Sequence, residues 1–161
     1  MKLILYVTGS ISCYKAYDLT RELSKAGHQI KVILSRGAQK FIQKDLFCFL
    51  GAVESYGHEE DFKHKDILHI ELARWCDAMI VCPASANSLS ALANGSACDF
   101  GTSTYLALDE TKPCLIFPAM NTKMLQHPAV RRNIKLLNDD GRSFVFPTQS
   151  GLLACNEKGE G

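Results

Sequence analysis

The chain has 161 residues, of which 47% are hydrophobic and 22% are charged, and its formal net charge is +1. This composition predicts one globular domain with a real core, and the near-neutral charge argues against nucleic acid or an anionic membrane surface as a partner. No apolar run approaches the ~20 residues of a membrane-spanning helix, and no signal-peptide core opens the chain. We therefore expect a cytoplasmic protein.

The first elements form a βαβ unit. Residues 2–8 are a buried strand, residues 9–12 a small polar turn, residues 13–26 an amphipathic helix and residues 29–34 a second strand. The turn resembles a phosphate loop, but it lacks G-x-G-x-x-G, and Ser35 stands where a dinucleotide binder has an acidic residue. A mononucleotide or flavin therefore fits better than a nicotinamide dinucleotide, although Gly-Ser after a strand is often only a tight turn.

A polar region follows the second strand. Residues 37–42 are predicted to form a short helix capped by Ser35, and residues 45–50 an apolar turn or helix. Residues 51–65 contain His, Glu and Asp side chains, but their spacing does not match a metal site. We interpret this stretch as a solvated loop and expect no bound metal.

The central stretch, residues 69–99, organises the prediction. It contains a short helix over 69–75, an apolar strand over 78–83, a turn of small polar residues at 83–88, and a new helix from Leu89. A strand that passes through such a turn into a helix presents unpaired N–H groups, which suit an anion such as a phosphate.

The remaining chain continues the alternation. Residues 99–108 are predicted as helix, 113–117 as strand, 128–141 as a helix starting at a proline, and 143–146 as a last strand; residues 150–161 form a tail without periodicity. Such alternation predicts one doubly wound α/β domain over 1–161, Rossmann-like or flavodoxin-like, with a mainly parallel sheet. If their strands are neighbours, the turns at 9–12, 85–88 and 119–121 converge on one crevice.

Four motifs carry a resemblance to a known family. In chain order they are HIELARW (residues 69–75), PASANS (83–88), PAMNTKM (118–124) and LLACNEKGEG (152–161). They resemble the motifs of the homo-oligomeric flavin-containing cysteine decarboxylases, and the tail resembles that of the phosphopantothenoylcysteine decarboxylases of coenzyme A biosynthesis. The family usually has Gly where Asn156 stands. In many bacterial members a synthetase domain follows this position.

The resemblance implies the cofactor FMN, the substrate 4'-phosphopantothenoylcysteine and a homotrimer or homododecamer. It implies that His69 is an acid/base, that Asn121 binds the substrate carboxylate and that Cys155 returns a proton from a mobile tail, residues 150–161, that closes over the substrate. The residues that it places around FMN are Gly9, Ser10, Ser12, Ser35, Ser85, Ala86, Asn87, Ser88 and Ala119.

Each of these roles has a simpler alternative. A histidine on a helix edge is often structural, an asparagine after a strand is often a helix N-cap, and a tail thiol is often inert. Any one serine can equally be a turn or cap residue. Two other functions also remain open: oxidative decarboxylation of a peptidyl cysteine, and a non-catalytic flavoprotein that acts as a regulatory subunit.

The seven cysteines do not form a Cys-x-x-Cys pair. Six of them, Cys155 excepted, are predicted to be reduced thiols that act as small hydrophobic residues.

Overall fold

The computed structural model describes residues 1–60, 67–152 and 158–160. Its centre is a six-stranded parallel sheet. The strands are β1 (Lys2–Val7), β2 (Gln29–Leu34), β3 (Glu54–Tyr56), β4 (Ala78–Ala84), β5 (Cys114–Pro118) and β6 (Ser143–Val145). Their spatial order is β3-β2-β1-β4-β5-β6. The predicted doubly wound α/β architecture with a parallel sheet is confirmed.

Seven helices connect the strands in the described part of the chain. They are α1 (Lys15–Lys25), α2 (Leu46–Phe49), α3 (Leu68–Trp75), α4 (Ala86–Ala93), α5 (Phe100–Leu106), α6 (Thr122–Gln126) and α7 (Pro128–Asp139). Short 3-10 turns occupy Ile11–Tyr14 and Ala38–Lys40. No helix in the described ranges is long and apolar enough to cross a membrane.

The sheet has a core on each face, because successive side chains of a strand point to opposite sides. Ile4 and Tyr6 of β1 pack under α3, α4, α5 and α7, whereas Leu3, Leu5 and Val7 pack under α1 and α2. All five side chains are buried. An almost continuous apolar run is therefore what this central strand requires.

One part of the sheet lies beyond the reach of α1 and α2. Leu115 and Phe117 of β5 pack at the margin of that core, and Phe117 stacks on Phe146 with ring centroids 4.5 Å apart. Phe144 is 55% exposed and Phe146 is 40% exposed. These four side chains, Leu115, Phe117, Phe144 and Phe146, form an apolar surface that we call the β5–β6 face.

The structure corrects four details of the sequence prediction. The polar region after Gly51 contains the edge strand β3, which pairs with β2. Its three residues, Glu54 among them, are too few and too polar to show a strand pattern. Helix α4 begins at Ala86 rather than Leu89, and it is separated from α5 because Asp99 caps a new helix. Residues 122–126, which were not predicted as helical, form α6.

The fourth correction concerns the tail. β7 (Ser150–Leu152) pairs with β8 (Lys158–Glu160) as a two-stranded antiparallel ribbon. Strands of three residues are too short to produce a detectable period in the sequence. Cys155, the predicted proton donor, lies outside the described residues, and the predicted closure of the tail stays a prediction.

Candidate functional site

Four strand ends meet along one edge of the sheet. β2, β1, β4 and β5 are consecutive neighbours and all run in the same direction, so the turns after them lie side by side. These turns carry every residue predicted to surround FMN, together with Asn121. In parallel α/β sheets this carboxyl edge is where ligands bind.

The turn after β1 is closed by local hydrogen bonds. The Ser10 N–H donates to the Thr8 carbonyl at 2.8 Å, and the Cys13 N–H donates to the Ser10 carbonyl at 2.9 Å. The hydroxyl oxygens of Ser10 and Ser12 are 3.1 Å apart. Two predicted ligand hydroxyls therefore sit together at the start of the 3-10 turn that leads into α1.

The turn after β2 packs against the first one. Ser35 donates its N–H to the Val7 carbonyl at 3.0 Å, and its hydroxyl accepts the Ala38 N–H at 3.1 Å. The prediction that Ser35 caps this short helix is only partly right: its buried hydroxyl binds the first N–H of the 3-10 turn, but the N-cap position itself is Gly37. Whether this serine also contacts FMN stays a prediction.

The turn after β4 builds the N-terminus of α4. Ser85 is the N-cap: its hydroxyl accepts the Ser88 N–H at 3.2 Å and lies 3.0 Å from the Ser88 hydroxyl. Among the described residues, the N–H groups of Ala86 and Asn87 have no acceptor. Free first-turn N–H groups at the positive end of a helix are a donor set that fits a phosphate.

The turn after β5 places Asn121 next to the crevice. The Ala119 N–H donates to the Ala84 carbonyl at 3.1 Å, which keeps the ends of β5 and β4 together. The Asn121 side-chain oxygen accepts the Lys123 N–H at 2.9 Å and caps α6. The simpler alternative, a helix N-cap, is therefore correct for that oxygen, and it leaves the substrate-binding role as a separate prediction.

His69 lies on a helix rather than at a strand end. It is partly buried in the first turn of α3, which packs on the sheet through Leu68 and Leu72. Because α3 ends at Trp75, shortly before β4 begins at Ala78, it runs opposite to the strands. Eight residues of helix span ~12 Å, so His69 lies towards the carboxyl edge.

An apolar pocket lies behind the turn after β5. Its volume is about 290 Å³. Its walls are Pro118, Leu125, Ile134, Val145, Phe146, Pro147 and Thr148. Pro118 and Leu125 flank Asn121 in the chain, but Asn121 itself does not line this pocket.

Sequence reasoning missed the polar side chains that support the site from beneath. Tyr6 of β1 and Thr8, the residue that follows the strand, are both completely buried. The Thr8 hydroxyl contacts the turn after β4, and the Tyr6 hydroxyl donates to the Asp99 carboxylate at 2.8 Å. Two hydroxyls in an otherwise apolar strand were the available signal.

Burial raises the pKa values of two side chains beneath the site, Tyr6 and Cys82. Burial first, and then the nearby Asp99 carboxylate, raise the pKa of Tyr6 well above its ordinary value, so the hydroxyl stays protonated and donates. Burial also raises the pKa of Cys82, which lies in β4 just before the turn. That thiol stays neutral at physiological pH and is not a candidate nucleophile.

Within the described residues, no group of three or more His, Cys, Asp and Glu side chains is placed to hold a metal ion.

Comparison with known sequences gives a consistent picture. The family model described as Flavoprotein matches residues 1–161. The chain is 44% identical to the coenzyme A biosynthesis bifunctional protein CoaBC of Bacillus subtilis, with 98% of this chain and 38% of that protein covered. It is 39% identical to a probable phosphopantothenoylcysteine decarboxylase of Streptococcus mutans, with 99% and 89% covered. The chain thus spans less than half of the bifunctional relative.

Solved structures of similar fold include cysteine decarboxylases. A PPC decarboxylase mutant complexed with pantothenoylaminoethenethiol superposes with a TM-score of 0.89 at 26% identity, covering 99% of this chain and 88% of that one. The FMN-dependent cysteine decarboxylase TvaF from thioviridamide biosynthesis gives a TM-score of 0.84 at 30% identity, covering 91% and 89%.

Proposed function

The chain belongs to the Flavoprotein family, and we propose that it is an FMN-dependent decarboxylase that converts 4'-phosphopantothenoylcysteine to 4'-phosphopantetheine. One observation supports the choice of substrate: the Streptococcus mutans relative named as a probable phosphopantothenoylcysteine decarboxylase matches 99% of the chain and is itself covered over 89% of its length. A structural neighbour bound to pantothenoylaminoethenethiol supports the same substrate class.

The turns after β1 and β4 are the parts of the chain that fit FMN. The N–H groups of Ala86 and Asn87 would bind its phosphate, with the hydroxyls of Ser10, Ser12 and Ser88 as further donors. Gly9, Ser35, Ser85 and Ala119 would line the remaining site. When bound, FMN supplies a two-electron oxidation of the substrate thiol and the later return of those electrons.

The chain's own residues would handle the carboxylate and the protons. The cysteine carboxylate leaves as CO2 only when the electrons of the broken bond can move into an adjacent group, as they can into the C=S group of a thioaldehyde. Asn121 would hold that carboxylate, and His69 would take the proton of the substrate thiol. Cys155 would return a proton to the enethiolate that CO2 loss leaves, and together with the two electrons that bound FMN would give back, this would complete the non-oxidative reaction.

The β5–β6 face supports a homo-oligomer. Phe144 and Phe146 are partly exposed and continue through the stacked Phe117 into one contiguous apolar patch beside the end of β5. A second copy of the chain would cover this face and close the crevice. The proposed assembly is a homotrimer, or a homododecamer built from trimers. We also propose a cytoplasmic location, in keeping with relatives named for coenzyme A biosynthesis.

One assay tests the function. Protein loaded with FMN is incubated with 4'-phosphopantothenoylcysteine, and released CO2 and the organic product are measured. We expect CO2 and 4'-phosphopantetheine in equal amounts. A product two hydrogens lighter would instead indicate an oxidative decarboxylase of the peptidyl-cysteine type, and bound FMN without CO2 would indicate a regulatory flavoprotein.

A further inference from the structure

The Thr8 hydroxyl bridges two backbone groups of the turn after β4. It donates to the Pro83 carbonyl at 2.7 Å and accepts the Ser85 N–H at 2.8 Å. Thr8 is completely buried, and its bond to Pro83 is buried while its bond from Ser85 is partly buried. This is a direct side-chain connection between the end of β1 and the N-cap of α4.

The Thr8 hydroxyl connects β1 to the turn after β4 at a point where the ladder of backbone hydrogen bonds between β1 and β4 has already ended. The pairing of β1 with β4 runs only as far as Tyr6 opposite Val81. Beyond that point Pro83 has no N–H to donate. The Thr8 N–H still reaches the Pro83 carbonyl at 3.3 Å, but no other described group accepts the Ser85 N–H.

The bridge also decides which N–H groups face a ligand. With its N–H bound by Thr8, Ser85 takes the extended backbone of an N-cap, and its hydroxyl turns towards Ser88. The next two N–H groups, those of Ala86 and Asn87, are left without a protein acceptor among the described residues. A shift of Ser85 would change the direction of both groups.

We propose that Thr8 is a positioning residue for the cofactor phosphate: its hydroxyl fixes Ser85 so that the N–H groups of Ala86 and Asn87 point at the anion. This inference rests on the proposed binding of FMN at this turn. Thr8 itself contacts the protein and not the cofactor. A threonine that only stabilised the fold would change the melting temperature without changing cofactor affinity selectively.

The test compares three variants by titrating the apoprotein with FMN and following flavin fluorescence. Thr8→Val keeps the shape and removes the hydroxyl, which leaves the Ser85 N–H without its acceptor. Thr8→Ser restores the hydroxyl. Thr20→Val is the matched control, because Thr20 is equally buried and its hydroxyl donates only to the Ala16 carbonyl within α1.

We expect Thr8→Val to weaken FMN binding at least ~10-fold, equal to about 1.4 kcal/mol. Thr8→Ser should bind within about threefold of wild type, since it keeps the hydrogen bonds, and Thr20→Val should bind as wild type does. Equal affinity of wild type and Thr8→Val would overturn the inference while leaving the proposed function intact. A wild-type protein that does not bind FMN would instead refute the proposed function.

Hydrogen exchange gives a second measurement that needs no variant. In the wild-type apoprotein the Ser85 amide should exchange at least ~10-fold more slowly than those of Ala86 and Asn87, because only Ser85 donates to a buried acceptor. This result is decisive if Thr8→Val does not fold. Equal exchange at the three amides would overturn the inference.

Discussion

Gly9 packs directly against Gly37: a β-carbon on Gly9 would lie 2.9 Å from the Gly37 α-carbon and 3.0 Å from its carbonyl carbon. Both contacts are with backbone, which cannot rotate away as a side chain can. The backbones of the turns after β1 and β2 are therefore in direct van der Waals contact, with no room for a side chain between them.

The first prediction follows from this contact. Gly9→Ala should push the two turns apart, at a cost of about 1–3 kcal/mol in unfolding free energy for overpacking, and should weaken FMN binding ~10-fold or more. Thermal melting and an FMN titration measure the two effects. Gly37→Ala tests the same contact from the other side, because its β-carbon would meet the Gly9 α-carbon at 3.0 Å and the Gly9 nitrogen at 3.4 Å, and it should have a similar effect. Unchanged binding by Gly9→Ala would contradict the close-packing argument.

The second prediction concerns His69. His69→Asn should retain FMN and the oligomer but lose CO2 release by at least ~10²-fold, the lower range for a positioned acid/base. Turnover with saturating substrate, together with the flavin spectrum, measures this. His28→Asn is the control, because His28 lies just before β2, at the opposite edge of the sheet. Near-normal turnover of His69→Asn would assign the histidine a structural role.

The third prediction uses the thiols. Burial raises the pKa of Cys114 to about 12, and it also raises the pKa of Cys76. Neither should react with a thiol reagent in the native protein at pH 8, whereas the exposed Cys48 and Cys98 should. Mass spectrometry of the labelled protein identifies the sites. Rapid labelling of Cys114 would show that β5 opens easily.

The same shift has a consequence for stability. Because the pKa of Cys114 is higher in the folded chain than its ordinary value of 9.0, the unfolded state loses this proton first as the pH rises. The stabilisation of the folded state by the neutral Cys114 thiol is therefore complete below about pH 9 and is lost progressively towards pH 12. Denaturant melts of wild type and Cys114→Ala should converge over that interval.

The fourth prediction addresses the β5–β6 face. Phe144→Lys places a charge on this surface and should shift the protein from oligomer to monomer in sedimentation velocity experiments, with loss of FMN if the crevice is shared. Phe49→Lys is the control, since Phe49 is 86% exposed on α2, away from the face. A monomeric wild-type protein loaded with FMN would contradict the shared crevice.

The sequence predicted most of this architecture because its signals are local. Buried strands such as β1 and β4 are apolar runs, and small polar residues mark where they end, so the turns that carry Gly9 and Ser85 could be placed. The edge strand β3 could not, because its three residues include Glu54 and Ser55 and gain their order only from pairing with β2.

The supporting residues were hidden for a different reason. Thr8 looks like the last residue of an apolar strand, and nothing near it in the sequence indicates that its partners are Pro83 and Ser85. That contact depends on which strand lies beside β1, which is a property of the sheet order. Residues that act through tertiary hydrogen bonds are therefore found only from coordinates.

The last prediction separates the two roles of Asn121. Its side-chain oxygen caps α6 by accepting the Lys123 N–H, and an aspartate at this position would keep that acceptor. Asn121→Asp should therefore fold and bind FMN normally. A carboxylate there would repel the substrate carboxylate, however, so we expect CO2 release to fall at least ~10²-fold, as for loss of a charge-assisted contact.

Asn121→Ser completes the comparison, because serine is also a good N-cap but carries neither the amide nor a charge. If Asn121 binds the carboxylate through its amide, both variants should lose activity while their melting temperatures stay near that of wild type, with Asp the more severe. Asn121→Ala should lower the melting temperature as well, because it removes the cap at a cost of about 1 kcal/mol. If Asn121→Asp and Asn121→Ser keep full activity and only Asn121→Ala is impaired, the residue is a helix cap alone, and the substrate carboxylate must be held by another group at this edge of the sheet.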